Sequence, residues 1–223
     1  MKKNWNGFAK KSIQERLEFV KSQALTSMEA QESLEQNENL SIAVADQLSE
    51  NVVGTFSLPY SVVPEVLVNG QEYTVPYVTE EPSVVAAASF ASKIIKRAGG
   101  FTAQVHQRQM IGQVALYQVP DRDKACQAIL SQKAELLEQA NQAYPSIVKR
   151  GGGARELTVE KISGEADFLV VYLHVDTQEA MGANMLNTML EALKPSLEAL
   201  SQGQSLMGIL SNYATDSLVT ATC

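Results

Sequence analysis

Between Val105 and Ser211 the apolar residues repeat at strand spacing, then at helix spacing, and the order of those changes narrows the fold more than any other feature of the chain. The segment QMIGQVALYQV reads as a strand, and DRDKACQAILSQKAELLEQANQAY as one long helix opened by Asp121. RELTVEKIS and DFLVVYLHVDT read as two more strands, joined at Gly164-Glu165. EAMGANMLNTMLEALKPSLEAL reads as a second helix, bent or interrupted at Pro195, and QSLMGILSN as a last strand. That β-α-β-β-α-β order predicts a ferredoxin-like two-layer sandwich.

The preceding region reads differently. Residues 10 to 39 carry Ile13, Leu17, Val20, Leu25 and Met28 at helical spacing, and Ser41 to Glu50 read as a short further helix. ENVVGTFSLPY then opens an extended stretch. In EVLVNGQEYTVPYV, two alternating strands flank Asn69-Gly70, the dipeptide suited to a tight type I′ turn. After that hairpin comes EEPSVVAAASFASKIIKRAGG. Its Pro82 suits a first helical turn, and Gly99-Gly100 after Lys96 and Arg97 is a helix stop. Glu80 and Glu81 are thereby placed at a helix N-terminus. The fold class is α+β: residues 1–104 in the N-terminal part of a larger helical and sheet domain, 105–212 in the small inserted sandwich, and 213–223 returning to the first.

A length of 223 residues allows one or two such domains. The net charge of −7 disfavours a partner nucleic acid held by a basic surface. No apolar run approaches the roughly 18 residues of a membrane span, and MKKNWNGFAKKSIQERLEF has no apolar core or cleavage signal behind its basic residues. The expectation is a cytoplasmic protein. Cys126 and Cys223 fit neither a metal-ligand spacing nor a disulfide framework and read as free thiols. No G-x-G-x-x-G or G-x-x-x-x-G-K-[ST] is present. His106 and His174 fall in strands and read as structural or surface residues. The β-branched ending DSLVTATC looks like a strand in progress, so the chain is expected to be a fragment.

Three local features could carry chemistry. Glu81 sits before a run of small residues, where an acid complements a helix dipole or faces a ligand. KRGGGARE places three glycines between basic residues, which suits either a flexible connection or backbone N–H groups close to a phosphate. EAMGANMLNT puts Gly182 and Ala183 in the first turn of a long helix, whose N-terminus favours anions. Met181, Met185 and Met189 follow one another every four residues there, a spacing more typical of core than of a cofactor box.

Taken together, ENVVGTFSLP, EEPSVVAAAS, GGGARE, EAMGANMLNT and ILSNYATDSLVTATC occur in the order found in 3-hydroxy-3-methylglutaryl-CoA (HMG-CoA) reductases. From about Leu48 to Cys223 the chain resembles the soluble bacterial class, as found in Gram-positive organisms with a mevalonate pathway. The resemblance implies a large domain for the CoA thioester and a small inserted domain for the nicotinamide cofactor. It implies a four-electron reduction of HMG-CoA by two NAD(P)H, through a hemithioacetal and an aldehyde, to mevalonate and CoA. Glu81 aligns with the family's catalytic glutamate, a proton donor to the aldehyde, and Ser83 and Asn212 with substrate-binding positions. Tyr144, Lys149, Arg150, Gly151, Gly152, Glu179, Met181, Gly182 and Asn184 align with the cofactor-binding stretches. ENVVG would lie at a homodimer or higher homo-oligomer interface.

The chain also departs from the pattern. The family's active-site lysine does not follow Asp216, where Ser217 stands instead; in the soluble class it comes in a later block, with the aspartate and histidine that complete the site. On that reading this chain does not catalyse the reaction alone. Glu179 replaces the usual aspartate of the Asp-Ala-Met-Gly loop. Tyr144 stands where NAD-preferring members carry an acid, and with Lys149 and Arg150 beyond it the expectation is NADPH, with NADH possible. The rival readings are a non-catalytic nucleotide-binding module and a dimerisation unit in which Glu81 is only a helix cap.

Overall fold

The computed structural model describes residues 4–23, 27–36, 40–164 and 167–223. The chain divides into two compact units, one comprising residues 1–103 with 221–223, the other residues 104–220.

In the first unit a single 3-10 turn, Phe8–Lys10, precedes α1 (Ile13–Ser22), α2 (Met28–Gln36) and α3 (Ile42–Leu48). Ser12 opens α1 with a capping box: its hydroxyl accepts from Glu15 N–H, and the Glu15 carboxylate accepts from Ser12 N–H. Trp5 packs edge-on against Phe8 and Phe19, which are tilted against each other, in a small aromatic cluster. The helical reading of residues 10–39 thus resolves into two helices, and residues 24–26 and 37–39 lie outside the described residues.

Strands β1 (Tyr60–Val68) and β2 (Gln71–Val78) form the antiparallel hairpin expected about Asn69-Gly70. Both turn residues have positive φ, 50° and 80°, as a type I′ turn requires. A bulge between Val63 and Val66 bends β1, with Glu65 at φ 61°. Helix α4 (Val84–Arg97) follows. It starts later than the proline suggests: Ser83, at φ 74°, is the N-cap, and Pro82 stands before it. Pro82 therefore stiffens the approach to the helix and takes no part in its first turn. At the far end Gly100 N–H bonds back to Ile95 O and Gly99 N–H to Lys96 O, the stop the glycines suggested. Strands β3 (Thr102–Val105) and β8 (Val219–Thr222) pair with each other.

The second unit is built on β4 (Met110–Tyr117), β5 (Gly153–Ile162), β6 (Phe168–Asp176) and β7 (Gln204–Leu210), in the order β5-β6-β4-β7 with every neighbour antiparallel. The link between β5 and β6 includes Glu165, outside the described residues. The helix expected from Asp121 to Tyr144 is α5 (Arg122–Ser131) and α6 (Lys133–Ala143), followed by α7 (Pro145–Lys149). Asp121 does cap α5, accepting from Lys124 N–H at 3.0 Å. The break falls at Gln132 (φ −105°, ψ 20°), which lets Ile129 and Leu136 both reach the core. α8 (Ala183–Ser201) is not interrupted and runs through Pro195.

One apolar cluster holds these elements together. Val114 and Leu116 of β4 and Leu169, Val171, Leu173 and Val175 of β6 point at the helices, as period-2 alternation requires. From α8 they meet Met185, Leu186, Met189, Leu190, Leu193 and Leu197, spaced three and four apart on one helix face. Met185 and Met189 are thus core, whereas Met181 is 73% exposed. The return to the first unit comes at residue 221, not 213. Residues 213–220 stay with the second unit because Gln109 N–H bonds to Asp216 O and His106 N–H to Leu218 O.

Candidate functional site

The glycine stretch Gly151–Gly153 links α7 to β5. Gly151 N–H donates to Val148 O and Gly152 N–H to Ile147 O, both at 3.0 Å. These N–H groups were candidates for a phosphate, but they satisfy the last carbonyls of α7 instead. What the glycines provide is closeness. A Cβ on Gly152 would lie 2.5 Å from Asp176 O and 2.8 Å from Ile147 Cγ1. The Asn141 side chain seals the other side, its Oδ1 accepting from Ala154 N–H at 2.8 Å.

Lys149 and Arg150 are exposed at the end of α7, and neither has an ion-pair partner among the described residues. Arg150 Nε reaches back to Ser146 O at 3.3 Å. Tyr144, between α6 and α7, is half-buried against the core. Two unneutralised cations at the rim of a close-packed loop suit a phosphorylated ligand.

Asp176 ends β6 beside that loop. Burial would raise its carboxyl pKa, yet the Gln178 N–H and the Arg155 guanidinium outweigh burial and hold it below its ordinary value. Gln178, at φ 52°, starts the turn that leads past Glu179 and Met181 to Gly182, the N-cap of α8 at φ 87°. A Cβ on Gly182 would lie 2.6 Å from Thr177 Cγ2 and 2.8 Å from Met110 Sδ, so glycine is required there twice over. Glu179 pairs with Arg108 at 2.8 Å on the surface. A shallow depression of about 330 Å³ is lined by Gln107, Arg108, Gln109, Asp176, Gln178 and Glu179. Asn184, in the first turn of α8, is exposed. The second unit therefore brings the glycine-loop and Glu179–Asn184 candidates to the same end of the β5–β6 pair, where Gly153 lies opposite Asp176.

Residues 211–218 run beside this sheet, with Asn212 exposed. Here the structure shows a pair the sequence did not signal. His174 Nδ1 lies 2.6 Å from Asp216 Oδ2, and His174 Nε2 lies 3.2 Å from Thr158 Oγ1. The imidazole thus bridges the Asp216 carboxylate and the Thr158 hydroxyl, one ring nitrogen to each. Histidine and aspartate are 42 residues apart, so no local pattern could join them.

In the first unit, Glu81 lies in the turn before α4, exposed, its N–H donating to Thr79 Oγ1 at 3.2 Å. The Ser83 side chain makes no capping bond to α4.

Comparison with known proteins decides the family. The family model described as hydroxymethylglutaryl-coenzyme A reductase matches residues 12–223. The chain belongs to that family. It is 39% identical over 219 residues to 3-hydroxy-3-methylglutaryl-coenzyme A reductase of Archaeoglobus fulgidus, a match covering 96% of this chain and 49% of the relative. A probable reductase of Borreliella burgdorferi is 29% identical over 73% of this chain and 37% of its own length. Among solved structures, the class II reductase from Streptococcus pneumoniae bound to NADPH, in open conformations, superposes with a TM-score of 0.95 at 83% identity. That match covers 98% of this chain and 59% of the pneumococcal one. The chain thus spans about half the length of the archaeal relative and less of the Borreliella one. Family membership and the mixed helix and sheet architecture agree with the reading from the five sequence blocks. Among the described residues, no helix is long and apolar enough to cross a membrane.

Proposed function

We propose that this chain, within a protein as long as its relatives, takes part in the NADPH-dependent reduction of HMG-CoA to mevalonate and CoA in the cytoplasm. The second unit is a ferredoxin-like cofactor domain, and the first contributes to the site for the CoA thioester. The observation that carries the reading is the gathering of the glycine loop and the Glu179–Asn184 loop at one end of the second unit, with Lys149 and Arg150 unneutralised at its rim. Those two cations suit the 2′-phosphate of NADPH, and NADH, which lacks it, gains less from them. The cofactor supplies hydride. Met181, 73% exposed, offers it an apolar contact.

In the first unit Glu81 acts as the proton donor to the forming alcohol, and Ser83, with its hydroxyl uncommitted to capping, orients the acyl group; in the second unit exposed Asn212 is a further substrate-binding candidate. Exposed Leu48, Val53, Phe56, Phe90 and Ile94 give the first unit a large apolar surface, which favours a homodimer or larger assembly through ENVVG and its surroundings. The test is Glu81→Gln in a chain extended to the relatives' length. HMG-CoA-dependent NADPH oxidation should fall by about 10²-fold or more, with NADPH binding preserved. Unchanged turnover would remove Glu81 from the mechanism.

A further inference from the structure

We propose that Arg155 and Asp176 form a clamp that fixes the glycine loop against the Glu179–Gly182 loop, each acting as a positioning residue for the dinucleotide; the inference rests on the cofactor reading above. One carboxylate serves both loops. Asp176 Oδ1 accepts from Gln178 N–H at 3.0 Å, and Oδ2 from Gln178 Nε2 at 2.9 Å, which holds Gln178 in its positive-φ conformation. The same Oδ2 lies 3.4 Å from Arg155 Nη2, which also donates to the carbonyl oxygen of Gly151. Arg155 thus spans from the tip of the glycine loop to the start of the other loop. The planar guanidinium suits this, since it reaches two acceptors at fixed angles where an ammonium offers a single point.

The backbone underneath is already tight. Gly153 and Asp176 are register partners, and Gly152 leaves no room for a Cβ against Asp176 O. The side chains of Arg155, Asp176 and Gln178 add a polar tie between the two loops to that close packing. Without them each loop samples its own arrangements, and a ligand touching both must order them on binding. The signature is therefore weaker nucleotide binding with chemistry preserved.

The experiment uses a chain extended to the relatives' length, with Asp176→Asn, Arg155→Met, the double variant and Arg155→Lys. NADPH binding is followed by fluorescence, steady-state kinetics by NADPH oxidation, and folding by thermal melts. Each single variant should raise the NADPH Kd and KM about tenfold, with kcat and the HMG-CoA KM within about twofold. The double variant should be no worse than the worse single, and Arg155→Lys should recover part of the loss. Singles that bind NADPH as wild type does, losses that add in the double, or losses that follow only a lowered melting temperature would each overturn the clamp. Should wild type itself bind no NADPH, the cofactor reading falls and the clamp's role with it; should wild type bind and the variants match it, the clamp alone falls.

Discussion

Gly112 of β4 lies beneath α8, and the space it leaves is filled by Leu190. A Cβ at Gly112 would lie 2.6 Å from Leu190 Cδ1, 3.2 Å from Leu190 Cγ and 3.3 Å from Leu186 Cδ2. Gly112 has no positive φ, so sterics alone decide the outcome of Gly112→Ala. Overpacking of this kind costs about 1–3 kcal/mol, offset by about 0.5–1 kcal/mol for replacing a strand glycine. Leu190 is 0% exposed, so Leu190→Ala costs about 3–5 kcal/mol through lost burial and a cavity. In the double variant the new methyl enters space that Leu190 Cδ1 vacated. The clash disappears, and about 0.8 kcal/mol of burial returns. The two changes should therefore couple favourably by about 2 kcal/mol, with the double variant more stable than Leu190→Ala alone. The assay is hydrogen exchange of β4 and β6 amides in the whole chain, which reads opening of the second unit separately from the first. Additivity within about 0.5 kcal/mol would refute the reasoning, because it would mean that Leu190 does not occupy the space over Gly112.

Acid sensitivity should involve Glu156, whose carboxyl pKa is lowered chiefly by its hydrogen bond from Lys133. A lowered folded-state pKa means that this stabilisation is present above the ordinary value of 4.5 and is lost as pH falls through the lowered one. Lys133→Met should flatten the acid limb of stability, measured as urea midpoints against pH; an unchanged limb would contradict the assignment. For nucleotide preference, Lys149→Glu and Arg150→Glu should each weaken NADPH binding by about tenfold and leave NADH within about twofold. Equal losses for both nucleotides would place the cations elsewhere than at the 2′-phosphate.

Legibility in the sequence followed the range of the interactions. The Asn69-Gly70 turn, the Gly99-Gly100 stop and the Asp121 cap were readable because each is closed within a few residues. The strand and helix order of residues 105–211 was readable because the sheet is apolar on its helix-covered face and mixed on the other. Pro82 misled because a proline suits both the first helical turn and the approach to it, and the positive φ of Ser83 chose the approach. The break at Gln132 carries no glycine or proline, and tertiary packing sets it. At the candidate site the sequence offered candidates but not their bonding. The engaged N–H groups of Gly151 and Gly152, the Arg155–Asp176 bridge and the His174–Asp216 pair all depend on partners that only folding brings together.

On the proposed function, this chain carries the nucleotide-binding unit and the acid of a hydroxymethylglutaryl-CoA reductase. The most direct measurement is NADPH consumption on addition of HMG-CoA by a chain extended to the relatives' length, with NADH in parallel and mevalonate quantified. Two NADPH should be oxidised per mevalonate formed, with NADH the poorer donor. Nucleotide binding without HMG-CoA-dependent oxidation of either donor would contradict it.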